Sequence, residues 1–216
     1  MNYFAHGFRF IDRPYFLAGT AVPDWLAVAD RAARVRTPRV APFADGTESP
    51  QAEVAAGILQ HLSDDSWFHN TRAFFEVTGE LTRRFREILA GRDDHHPSFL
   101  GHIVTELILD GILVRRDETL LARYYQALRQ ISPQFVQETV NLMVRNPTSR
   151  LAGFIPLFNH EGFLWDYLQP AQMLVRLNQV LRRVKLGPLP QEAERVLAAA
   201  WSVVESRAGE LLPGLL

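Results

Sequence analysis

His61, Asp65 and His69 recur at four-residue steps, so a continuous helix presents all three on one face. His102, Glu106 and Asp110 repeat that spacing further along the chain. Two segments of this kind, facing each other, can build a metal site inside a helical domain. Imidazole and carboxylate without sulfur suit one or two divalent ions, Mn, Fe, Zn or Mg, rather than a closed structural zinc site. Such an ion helps a water ionise near neutral pH and stabilises the charge added at a phosphorus centre. An arginine can then bind a non-reacting phosphate oxygen. Arg72, one helical turn beyond His69, is the natural candidate, so Asp65 and Arg72 are the residues expected to act on substrate. The competing assignment for Arg72 is a structural salt bridge to Asp65 or Glu76.

Two more polar residues stand in apolar surroundings near the N-terminus, His6 and Asp24. An isolated buried charge costs several kcal/mol or more, so each calls for a partner or a metal. The plainer alternatives are that Asp24 caps a helix beginning at Trp25 and that His6 is a satisfied core histidine. His95 and His96 fall in a polar loop, the commonest setting for a histidine pair without a role. Histidine and acid four residues apart also occur as simple surface pairs, so spacing by itself does not decide the matter.

The elements that position these residues read as helices throughout, in an all-α, single-domain bundle spanning 1–216 with roughly seven to nine helices. Residues 36–50 have the composition of a surface loop, and Ser49 with Pro50 opens a helix carrying His61. Ser63-Asp64-Asp65 weakens helix propensity and marks a point where that helix can break or kink. From Ser66 to Ala90 an apolar stripe through Phe74, Leu81 and Phe85 marks a long amphipathic helix. Ser98 starts the helix of His102 and Glu106, which Gly111 is placed to end or bend. Later helices are expected over 117–131, 132–146, 171–184 and 191–211, with an aromatic helix–loop segment over 151–167.

Composition narrows the class. At 216 residues, 47% hydrophobic and 22% charged, the chain resembles an ordinary soluble globular protein. With 23 basic and 24 acidic side chains, nothing in the overall charge argues for nucleic acid or membrane partners. The absence of cysteine excludes disulfides and thiolate chemistry and fits a reducing compartment. No signal-like start and no unbroken apolar run of about 20 residues is present, so a cytoplasmic location is expected.

Several blocks taken in order resemble the acyl carrier protein phosphodiesterase family, a branch of the HD-domain metal phosphohydrolases. Met1-Asn2-Tyr3-Phe4-Ala5-His6 resembles the family's opening Met-Asn-aromatic-Leu-Ala-His. Gly19 through Trp25 resembles its Gly-Asn-Leu-Leu-Ala-Asp-Phe, and Gly57-Ile58 with His61 and Asp65 matches the spacing of its Gly-Ile-x-x-His-Arg-x-Ile-Asp block. The resemblance implies an HD-like helical fold, a divalent metal such as manganese, and phosphodiester hydrolysis. Carried over by position, it implies His6, Asp24, His61 and Asp65 as site residues, with His69, His102 and Glu106 near positions where the family has acidic ligands. Leu62 replaces the family's arginine, a departure that bears on whether the substrate is an acidic carrier protein. Such a partner would dock on Arg176, Arg182, Arg183 and Lys185, otherwise a solvated helix face.

The expected function is therefore metal-dependent phosphodiester hydrolysis. The alternative is a non-catalytic helical binding protein that keeps an HD-like scaffold. An oxidative di-iron enzyme fits less well, because neither helix carries Glu-x-x-His.

Overall fold

A computed structural model describes residues 1–47, 49–91 and 96–214 of the chain. His95, one of the loop histidines, lies outside the described residues. In chain order the α-helices are α1 (Tyr3–Gly7), α2 (Pro14–Ala29), α3 (Thr37–Val40), α4 (Pro50–Phe68), α5 (Arg72–Ile88) and α6 (Pro97–Arg116). They continue with α7 (Glu118–Leu128), α8 (Pro133–Met143), α9 (Leu151–Glu161), α10 (Pro170–Arg183), α11 (Ala193–Ser206) and α12 (Ala208–Leu211). Three 3-10 segments, Phe8–Phe10, Ala41–Phe43 and Phe163–Leu168, complete the set, and no strand occurs among the described residues. The fold is all-α, as the periodicity implies. By packing, the chain falls into two compact units, Met1–Trp67 with Asp117–Gly162 and Phe68–Arg116 with Phe163–Leu216.

The first unit is organised by α2 and α4. Gly19 on α2 and Gly57 on α4 let the two backbones touch: a Cβ built on Gly57 would lie 2.1 Å from the Phe16 carbonyl oxygen, and one on Gly19 would lie 2.3 Å from that of Val54. Residues 16–22 are therefore a packing surface inside α2, which Gly19 does not interrupt. Asp24 accordingly lies within α2, which begins at Pro14, and does not cap a helix at Trp25. Ser49 does cap α4, accepting from the Ala52 N–H at 3.2 Å. An aromatic core of Phe4, Trp25, Tyr124, Tyr125 and Phe158 holds α1, α2, α7 and α9 together through tilted and edge-on ring contacts.

Helix α4 runs unbroken through Ser63-Asp64-Asp65 because the two acids find partners along it and from α1: Gln60 donates to Asp64 Oδ1 at 2.7 Å, and Asp65 faces His6 and His61. The expected long helix from Ser66 to Ala90 is instead divided. The Thr71 N–H closes a turn onto the Phe68 carbonyl (3.1 Å), and the Thr71 hydroxyl caps α5 by accepting from Phe74 N at 3.2 Å.

In the second unit α5 packs along α6, closest where Gly101 meets the Thr78 carbonyl oxygen. Gly111 neither ends nor bends α6, which continues to Arg116; it makes room for the Trp201 indole and the Tyr167 backbone. By length and mean hydropathy α6 is the one helix among the described residues compatible with crossing a bilayer, but most of it is buried in the unit's core. The 36–50 stretch is less irregular than its composition suggests, since it contains α3 and the Ala41–Phe43 segment. Arg176 does not belong to an open basic face: its Nε donates to Asp166 Oδ2 at 2.5 Å and its guanidinium lies over Phe163. Arg182, Arg183 and Lys185 are exposed.

Candidate metal centre

The first unit gathers His6 from α1, Asp24 from α2, and His61 and Asp65 from α4. The contact between Gly19 and Gly57 brings α4 close enough for His61 Nδ1 to reach the Thr20 carbonyl oxygen at 2.8 Å. A carbonyl only accepts, so Nδ1 carries a proton and Nε2 is turned elsewhere. That Nε2 lies 3.4 Å from Asp65 Oδ2. His6 repeats the pattern: its Nδ1 faces Asp64 Oδ2 at 3.4 Å and its Nε2 stands 3.2 Å from Asp65 Oδ1. The two rings stack with centroids 3.9 Å apart.

One ligand atom each from His6, His61 and Asp65 lies within 4.8 Å of the others. His6 and His61 are buried, while the Asp65 side chain keeps 32% of its surface exposed. Two atoms here are sealed from solvent without a hydrogen-bond partner, His6 Nε2 and Asp24 Oδ2. The 3.2 Å approach of His6 Nε2 to Asp65 is thus an electrostatic contact rather than a well-aligned hydrogen bond. A buried lone pair and a buried carboxylate oxygen both left unpaired are costly unless a cation takes them. The grouped donors, two imidazoles and one carboxylate, with the buried Asp24 carboxyl electrostatically coupled to them, fit a divalent ion of the Mn, Fe or Zn kind. The α-amino group of Met1 contacts Asp65 Oδ1 at 2.9 Å, so Asp65 already attracts positive charge.

The electrostatics agree. Burial pushes the Asp24 carboxyl above its usual range, against the pull of His61 and His6. Burial disfavours charge on His61, but Asp24 and Asp65 overcome it and raise the imidazole's affinity for a positive charge. Burial also works against ionised Asp65, yet its contacts with His6 and His61 and the Met1 ammonium hold it well below the carboxylate range. A proton and a metal ion compete for such a site.

The second unit gathers the other expected ligands. His69 lies in the turn after α4 and so leaves the helix face shared by His61 and Asp65. Its Nε2 is 2.8 Å from Glu106 Oε1, and His102 Nε2, one turn back along α6, is 3.1 Å from the same oxygen. Burial pushes the Glu106 carboxyl up, but its charged surroundings, hydrogen bonds from His102 and His69 among them, outweigh it and hold the group below the usual carboxylate range. Asp110 is fully buried on α6 and is not part of this cluster. Arg72 also belongs to the second unit: its side chain is 90% exposed and its Nε donates to Glu76 at 2.6 Å, the structural salt bridge foreseen as the competing assignment. His96 is exposed at the start of α6, and neither cluster includes it.

Two contributors were not singled out from sequence. Asp64 and the Thr20 carbonyl orient the two imidazoles of the first cluster. Asp64 follows Gln60 by four residues, and that amide–acid spacing is the signal that marks it. The first unit also holds a cavity of about 430 Å³, walled by Pro23, Leu26 and Leu62 and edged by Arg31 and Arg34, which none of the cluster's residues lines. Pro23 precedes Asp24 and Leu62 follows His61, but the arginines themselves carry no signal beyond their charge.

The chain matches no protein-family model, no curated protein and no solved structure.

Proposed function

We propose that this chain is a metal-dependent phosphohydrolase cleaving a phosphodiester, with one divalent ion held by His6, Asp24, His61 and Asp65. The observation that carries the reading is the pair of buried, unpartnered ligand atoms, His6 Nε2 and Asp24 Oδ2, beside two imidazoles whose Nδ1 atoms face acceptors. Such outer acceptors fix the tautomer and direction of metal-binding histidines. The same four positions carry the resemblance to the acyl carrier protein phosphodiesterase family, which adds support from an independent direction. A divalent ion supplies Lewis-acid chemistry there, acidifying a water and offsetting charge on the phosphoryl oxygens.

The chain's own residues do the rest. Asp64 and Thr20 hold the rings in register. Burial of His6 and His61 keeps bulk water off one side, while partly exposed Asp65 leaves the other side open. Arg31 and Arg34 give a cavity of the same unit positive charge, each spending its Nε on a backbone carbonyl, at Ala27 and Arg31 respectively. Their terminal nitrogens suit a phosphate oxygen, and the Leu26 and Leu62 wall suits an apolar portion of the ester. An acidic carrier protein is one possible bearer of such an ester, and Arg182, Arg183 and Lys185 are the exposed cations available for docking it.

Elemental analysis of the purified chain, followed by assay of a bis(aryl) phosphodiester after Mn, Fe or Zn reconstitution, tests the proposal. A bound ion with ester cleavage supports it. A tightly held ion without cleavage of any phosphoester points instead to the non-catalytic binding protein. Absence of both ion and turnover overturns it.

A further inference from the structure

We infer that His69, His102 and Glu106 form a second divalent-cation site, distinct in donor set from the first. This inference does not depend on the chain being a phosphohydrolase. The two imidazoles come from different parts of the unit, one from the turn after Phe68 and one from α6, yet both direct Nε2 at Glu106 Oε1. Metal–ligand bonds of about 2.1 Å at right angles leave donor atoms about 3.0 Å apart, whereas tetrahedral angles leave them about 3.4 Å apart. The observed 2.8 and 3.1 Å fall on the right-angled side. Two histidines and one carboxylate, with ligand atoms all within 4.8 Å of one another, can supply three positions of a six-coordinate ion and leave the others to water or ligand.

The surroundings are built for rigidity and access. Phe74 packs against both rings, 4.9 Å from His69 and 5.0 Å from His102 by centroid. The Thr71 hydroxyl donates to the Phe68 carbonyl at 2.9 Å and pins the turn that carries His69. Glu106 is the inner member, while His69 keeps 32% and His102 44% of its side-chain surface exposed, which gives an ion a way in. The competing occupant is a pair of protons, each ring simply hydrogen-bonding the carboxylate. Two histidines converging on one oxygen through a pinned turn is a more demanding arrangement than that role needs.

The test uses the full chain, stripped by chelation and equilibrated with Co²⁺, with bound ion counted by dialysis and elemental analysis. The wild-type chain is expected to bind two ions, and His61→Ala and His102→Ala one each. The ion left in His61→Ala should show the weak visible absorption of six-coordinate Co²⁺. One ion in His61→Ala that Glu106→Gln removes supports the site even if the first site proves empty of catalysis. No ion in His61→Ala, or one that Glu106→Gln leaves in place, overturns it: the cluster is then hydrogen-bonded only, and the first-site reading survives untouched. Histidine NMR of the wild-type chain with Zn²⁺ provides a readout free of substitutions. Unmoved His69 and His102 Nε2 resonances at saturating Zn²⁺ would likewise sink the inference.

Discussion

His6 and His61 stack at 3.9 Å with Nε2 atoms reaching opposite oxygens of one carboxylate, Asp65. Like-polar rings this close and this buried are held there by their outer acceptors, Asp64 for His6 and the Thr20 carbonyl for His61. Asp64 is therefore expected to matter for metal binding without being a ligand. Asp64→Ala should weaken divalent-ion affinity about 10–100-fold, as loss of an outer acceptor typically does. Isothermal titration with Mn²⁺ against the wild-type chain measures it, and an unchanged affinity with intact helicity would remove Asp64 from the site.

The close approach of α2 and α4 at Gly19 and Gly57 is the device that brings Thr20 to His61. Gly57→Ala would force a Cβ to within 2.1 Å of the Phe16 carbonyl oxygen, so the helices must part. A loss of roughly 1–3 kcal/mol or more is expected, as for other overpacked interiors. Thermal denaturation reads that loss, and metal content should fall with it because the His61–Thr20 bond depends on the same contact.

The same glycines show where sequence legibility ended. Gly19 reads as a turn former when only its conformational freedom is considered, and nothing local announces that it faces another backbone. Once α2 is continuous, Asp24 becomes an interior acid with an unpaired oxygen rather than a cap. His61 and Asp65 were legible because their spacing is a property of one helix. His69 was legible as a ligand type but not in its partner: the helix ends at Phe68, and the Thr71 cap that redirects the chain is a weak signal inside an apolar stripe. Arg72 illustrates the converse, since proximity in sequence to His69 says little once a turn intervenes and Glu76 lies one turn ahead.

Not every glycine carries such a contact. Gly79 lies exposed on α5, and a Cβ there would meet nothing within 4 Å. Gly79→Ala should stabilise the chain by about 0.5–1 kcal/mol through helix propensity and a smaller unfolded-state entropy. The midpoint of urea unfolding checks it, and a lower midpoint would mean that the exposed face of α5 is covered.

Thr71 couples helix capping to the second cluster. Its hydroxyl accepts from Phe74 N and donates to the Phe68 carbonyl, so it fixes both the start of α5 and the turn holding His69. Thr71→Ala should cost about 1 kcal/mol, the usual worth of an N-cap. If the turn positions His69 for an ion, the same substitution should weaken the Co²⁺ ion that remains in a His61→Ala background. Thr71→Ser, which keeps the hydroxyl, should restore both properties. Loss of stability with unchanged Co²⁺ affinity would show that His69 is placed by Phe74 and Glu106 alone, leaving the turn a purely structural feature.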